Sequence, residues 1–145
     1  MKNSIVLFLT LICLGSNSLF LNAANPTEEM NPDESGQLLI VWTSGDPEVA
    51  LKMVFMYAYN AQKNGWWDHV TLLIWGPSEK LSSENTEIQE YLAKMQEVGI
   101  ELIACRACAD MYGVCPRLED MNIDVKYTGT YLTDYIKSGK KIISF

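Results

Sequence analysis

Short apolar runs alternate with longer stretches in which apolar residues recur every three or four positions, from Gln37 to the last residue. Leu38-Leu39-Ile40-Val41-Trp42 is apolar without a break, as a strand buried on both faces requires. Thr43-Ser44-Gly45-Asp46 turns the chain, with Asp46 suited to cap a helix and Pro47 to begin it. That helix is predicted to run to about Asn64 and end at Gly65. His69 to Trp75 reads as a second buried strand closed by Gly76-Pro77. From about Asn85 to Val98, Ile88, Tyr91, Leu92, Met95 and Val98 share one helical face, and Gly99 stops the helix. Ile100 to Ala104 is a third strand. A short strand is expected at Val125 to Tyr127, a helix from about Tyr131 to Ser138 ending at Gly139, and a last strand at Lys141 to Phe145. Strand and helix alternate throughout, so the fold class is α/β, a parallel sheet covered by helices on both sides. The turns at Thr43–Asp46, Gly76–Leu81, Cys105–Cys115 and Thr128–Thr130 then share the carboxyl edge of the sheet, where ligands and reactive groups gather.

The first helix departs from this amphipathic pattern. Val49, Ala50, Leu51, Met53, Val54, Phe55, Met56, Tyr57, Ala58 and Tyr59 leave it little polar face, which calls for burial on more than one side. Deep packing within the domain is one way to supply it; its Met and aromatic residues suit a subunit interface better, so a homo-oligomer assembled through helix 47–64 is expected.

Residues 1–36 fall outside the alternation. Lys2 followed by the apolar run Ile5–Leu14, the break at Gly15–Ser18 and the small residues Ala23-Ala24 have the form of a cleavable secretory signal, 1–24. Cys13 is expected to leave with it. Residues 25–36, acidic and carrying two prolines, read as a flexible linker, and 37–145 as one domain. Such a protein is periplasmic or secreted and keeps no membrane segment after cleavage. Apolar residues make up 48% of the chain, ample for a packed core, and its net charge of −7 becomes −8 once Lys2 is lost. A surface of that sign repels phosphate backbones, so no nucleic-acid partner is expected.

Candidate chemistry centres on Cys105-Arg106-Ala107-Cys108. Cys105 follows the third strand directly, and the residues after it read as a short helix. Oriented N–H groups and the neighbouring Arg106 would stabilise its thiolate and make it a nucleophile at neutral pH. The spacing to Cys108 also permits a disulfide, and Cys115 is a weaker candidate for a resolving thiol. Ser44, Gly45 and Asp46, on the same edge, are candidate binding residues with Arg106, although they lack the glycine pattern of a phosphate cradle. Three other readings stand beside the reactive one. The cysteines are buried small hydrophobes, they form a stabilising disulfide, or they bind zinc. A zinc site would combine Cys105, Cys108 and Cys115 with His69, but His69 begins a strand at the opposite edge and no second paired-ligand motif exists. No metal or cofactor is therefore expected.

The strand ending in Ala104-Cys105, the helical turn with Gly113, and Leu118-Glu119-Asp120-Met121 resemble the DsrE/DsrF-like (DsrEFH) proteins. So do Gly45-Asp46-Pro47, Trp75-Gly76-Pro77-Ser78-Glu79-Lys80-Leu81 and the ending Gly139-Lys140-Lys141-Ile142-Ile143-Ser144-Phe145. The resemblance spans roughly Gln37 to Phe145. It implies a three-layer α/β/α domain with a five-stranded parallel, flavodoxin-like sheet, found in homo- or hetero-oligomers. It also implies a strand-end cysteine, here Cys105, that takes sulfur as a persulfide from a donor protein and passes it to an acceptor. Thiol–disulfide exchange by Cys105 and Cys108 is the alternative, and a non-catalytic oligomeric binding module the third.

Overall fold

The computed structural model describes residues 36–145. The predicted signal segment 1–24, with Cys13, and the linker up to residue 35 lie outside the described residues. Five strands form one sheet: β1 (Gln37–Trp42), β2 (His69–Ile74), β3 (Glu101–Cys105), β4 (Asp124–Lys126) and β5 (Lys141–Ser144). All pairings are parallel, in the order β4-β3-β2-β1-β5. Leu39, Ile40 and Trp42 of β1 and Leu72, Leu73 and Ile74 of β2 are fully buried, as unbroken apolar runs demand.

This strand order distributes the helices. The steps from β1 to β2, β2 to β3 and β3 to β4 each move one place in the same direction, so right-handed crossovers put their helices on one face. These are α1 (Pro47–Val49), a π-helical segment (Ala50–Val54) and α2 (Phe55–Lys63), then α3 (Pro77–Glu84) and α4 (Thr86–Glu97), then α5 (Arg106–Tyr112) and α6 (Cys115–Asp120). The return from β4 to β5 carries α7 (Thr128–Lys137) across the other face. Two cores result. The larger joins Ile40, Trp42, Leu72 and Leu102 to Phe55, Ile88 and Leu118. The smaller packs Leu39, Val41, Leu73 and Ile103 against Tyr135, Tyr131 and Leu132 of α7.

Two stretches expected to be turns are helical. Gly76–Leu81 holds the start of α3, and Thr128–Thr130 is the first turn of α7, which begins three residues before the predicted Tyr131. Helix α3 escapes hydrophobic patterning because its buried residues are polar: Ser78, Glu79 and Ser82. The Ser78 hydroxyl donates to the Trp42 carbonyl at 2.6 Å and the Ser82 hydroxyl to the Ser78 carbonyl at 2.8 Å. The cost of burying the two hydroxyls is thereby met.

The continuous helix 47–63 is covered by its own chain on one side only. Ala50, Val54, Phe55, Ala58 and Ala61 are buried, whereas Met53 and Met56 are 51% and 53% exposed. The Phe55 N–H reaches back to the Ala50 carbonyl, the wider π-type spacing, which lets the adjacent Val54 and Phe55 both face the core. Met53, Met56, Tyr57 and Trp66 line an apolar groove of about 390 Å³ beside Ile143 and Phe145.

Phe55 meets Trp42 edge-on at 5.0 Å and Tyr91 at 5.2 Å. Phe55→Ala is expected to cost about 3–5 kcal/mol, and Met53→Ala no more than about 0.5 kcal/mol. Urea unfolding midpoints of the two variants check the contrast.

Candidate functional site

Parallel strands deliver their carboxyl ends to one edge, and three of those ends build the site. Cys105 is the last residue of β3 and the N-cap of α5, with extended backbone (φ −79°, ψ 111°). After β2 the chain turns at Gly76, whose φ of 74° suits glycine, and Pro77 then starts α3. One turn into α3, Glu79 is fully buried. After β4, Thr128 opens α7 over the same point and is also fully buried.

Glu79 ties these parts together. Its Oε1 accepts the Cys105 backbone N–H at 3.0 Å, and its Oε2 has no hydrogen-bond partner. The two sulfur atoms and one Glu79 carboxylate oxygen lie within 4.8 Å of one another. Burial is the main influence on this carboxyl and pushes its pKa up to about 7, against the pull of the Cys105 and Gly76 N–H groups.

The two thiols are displaced in opposite directions. Burial alone would raise Cys105. The Thr128 hydroxyl, the N–H groups of Cys108 and Ala107 and the Cys108 thiol outweigh it, so the Cys105 pKa falls below the ordinary value. The Thr128 hydroxyl is buried with no other hydrogen-bond partner and is free to donate to this sulfur. Cys108 is raised, first by burial and then by Cys105 and Glu79. Of the pair, Cys105 is therefore the thiol that gives up its proton more readily, and the two titrate jointly. Cys105 is only 5% exposed and Cys108 is half-buried. Cys105, Cys108 and Cys115 are all free thiols.

Three of the predicted partners stand elsewhere. Arg106 is turned away from Cys105: it donates to the Cys115 sulfur at 2.6 Å and pairs with Glu119 at 3.2 Å and Asp110 at 3.9 Å. The support expected from Arg106 is supplied instead by Thr128 and backbone N–H groups. Cys115 forms a separate cluster, its thiol donating to Glu119 at 3.4 Å. Its pKa is raised, by burial first and then by the Glu119 contact. His69 begins β2 and faces Glu101 at 3.6 Å. The triangle of Glu79, Cys105 and Cys108 offers three donors to a metal, short of the four of a closed structural zinc site.

Asp46 behaves as predicted from its sequence, capping the Glu48 N–H at 2.8 Å, while the Ser44 hydroxyl accepts the Asp46 N–H at 3.1 Å. Gly45 lies against Pro77, where an added Cβ would sit 3.2 Å from the proline ring. With Pro77 and Tyr112 it borders a cleft of about 280 Å³. Sequence patterning had no signal for Glu79 or Thr128, because burial of a polar side chain leaves no periodic trace. Gly76-Pro77 ahead of Glu79 was the nearest clue.

No protein-family model and no curated protein matches the chain. It is similar to the solved structure of a conserved protein of unknown function from Bacteroides thetaiotaomicron, at 36% identity and a TM-score of 0.74. The match covers 76% of this chain and 95% of that one.

Arg106→Ala is expected to leave the pH profile of Cys105 alkylation in place and to raise the pH at which Cys115 reacts. Mass-mapped iodoacetamide labelling reads both. The buried carboxyl also links stability to pH. Between the ordinary 4.5 and about 7, folded Glu79 keeps a proton that the unfolded chain has lost. Stability therefore falls as pH rises through that window, by up to ~3 kcal/mol. Glu79→Gln should abolish this decline, measured by urea unfolding at pH 5 and pH 8.

Proposed function

The chain belongs to the same family as the conserved Bacteroides thetaiotaomicron protein, and from its own strand-end site we propose that it handles sulfane sulfur. Cys105 is the acceptor and Cys108 the resolving thiol. The observation that carries this reading is the Cys105 sulfur itself, held below its ordinary pKa in a nearly closed pocket by Thr128 and the start of α5. A thiolate of this kind is a nucleophile toward sulfur. Its burial selects a slender electrophile, and the terminal sulfur of a persulfide reaches it more readily than a bulky disulfide does. The DsrE/DsrF-like resemblance of Ala104-Cys105 and its flanks supports the same choice.

The chemistry balances without an outside oxidant. The Cys105 thiolate attacks the outer sulfur of a donor R–S–SH, forming Cys105–S–SH and releasing R–S⁻. The sulfur then leaves to an acceptor thiol. Alternatively, the Cys108 thiolate attacks the Cys105 sulfur, forms the Cys105–Cys108 disulfide and expels HS⁻. The closeness of the two sulfurs favours that second branch as a resolving step. Export of the domain, as its N-terminal segment suggests, would place this exchange outside the cytoplasm, where donor and acceptor are other exported thiol carriers.

Incubation with glutathione persulfide followed by intact-mass and peptide analysis tests the reading. The parent should gain 32 Da (one sulfur, approximately the atomic mass) at Cys105 and then lose it as the disulfide forms. Cys108→Ser should retain the added sulfur, and Cys105→Ser should take up none. Uptake by Cys105→Ser equal to the parent's would sink the proposal.

A further inference from the structure

The resolving branch demands a proton acceptor. Cys108 must lose its proton to attack, and its surroundings resist that loss. Arg106, two residues before it, offers no positive charge to ease that loss, being committed to Cys115, Glu119 and Asp110. We propose that Glu79 is the acid–base group of the site, taking the Cys108 proton as Cys108 attacks the loaded Cys105; this rests on the persulfide reading above.

The geometry has three parts. Glu79 is fully buried, so its charge is not dissipated in water. Oε1 is held by the Cys105 N–H at 3.0 Å, which fixes the carboxyl against the strand end. Oε2 is buried with no partner, and the carboxyl lies within 4.8 Å of both sulfurs. A buried oxygen with no partner is costly, and a proton shared with a nearby thiol relieves that cost. Among the described residues the surroundings offer no rival base. Of the elements packed on α3, α5 presents Cys108, and α6 carries Cys115, already held by Arg106 and Glu119. Gln89 of α4 donates to the Ser82 and Ser83 carbonyls. From α7 comes the Thr128 hydroxyl, and from α3 itself Lys80 and Glu84, which border the separate cleft by Gly45. A carboxyl with a pKa of about 7 is suited to exchange protons with a thiol near neutrality.

The step is Cys105–S–SH + Cys108–SH + Glu79–COO⁻ → Cys105–S–S–Cys108 + HS⁻ + Glu79–COOH. The bond between Cys105 and its outer sulfur breaks, and that sulfur is reduced to sulfide. The Cys105–Cys108 bond forms, and the Cys108 proton passes to the carboxylate.

Glu79→Gln keeps the acceptor for the Cys105 N–H and removes the base. With protein preloaded by glutathione persulfide, sulfide release measured by methylene blue should slow roughly 10²-fold in Glu79→Gln. Loading of Cys105 should keep its parental rate. In the parent, release should rise through an inflection near pH 7 that the variant lacks. Three results would overturn the proposal: parental release and pH profile in Glu79→Gln, equal slowing of loading and release (a structural brace only), or a parent profile with no inflection between about pH 6 and 8. The last needs no variant and holds if Glu79→Gln does not fold. A parent that never loads Cys105 instead defeats the persulfide reading itself.

Discussion

Every strand of this sheet points the same way, and the placement of each important residue follows from that constraint. Parallel pairing sends all strand carboxyl ends to one edge and forces each connection to cross back over a face. Three crossovers proceed in one direction and stack their helices on one side, while the fourth must return past three strands and can only bring α7 over the other. Thr128 reaches Cys105 because α7 starts where β4 ends. Glu79 reaches it because α3 starts where β2 ends. The site is the meeting of these two helix starts over the last residue of β3, and it needs no loop of its own.

That meeting concentrates three ionisable groups in a small, dry volume. A carboxyl and two thiols within 4.8 Å cannot all be charged in a medium that screens poorly. The structure resolves the competition by unequal supply of donors. Cys105 has the Thr128 hydroxyl and the N–H groups of Ala107 and Cys108, so it ionises more readily than an ordinary thiol despite its burial. Glu79 has the Cys105 N–H on one oxygen and nothing on the other, so it retains its proton until near neutral pH. Cys108, beside both, is the last to ionise. Hydrogen-bond supply thus separates the two thiols, with burial common to all three groups. The same supply distinguishes Cys105 from Cys108 without any fixed positive charge.

The second cluster shows why sequence neighbours are unreliable guides to electrostatics. Arg106 follows Cys105 directly, yet the first residue of a helix projects sideways from the strand it continues. Its guanidinium meets α6, where Cys115 and Glu119 wait one turn apart. Cys115, expected to help Cys105, is for that reason spent within its own network.

The chain's pattern of apolar residues determined the fold class, the strands and most of the helices, because burial of β1, β2 and α4 depends on side chains whose spacing is local. The order of elements along the chain likewise places Cys105 at a strand end and Asp46 at a helix start. Helix α3 and the first turn of α7 escaped, since their buried residues are Ser78, Glu79, Ser82 and Thr128. A polar side chain is buried only when a distant segment supplies or needs its hydrogen bond, and no periodicity records such a pairing. Which side of helix 47–63 the core covers was hidden for the opposite reason, because an apolar residue reads the same whether a core covers it or not. Sequence thus named the cysteine and its place on the sheet. Tertiary structure alone chose its partners, replacing a neighbouring arginine with a threonine and a glutamate that only the parallel topology brings within reach.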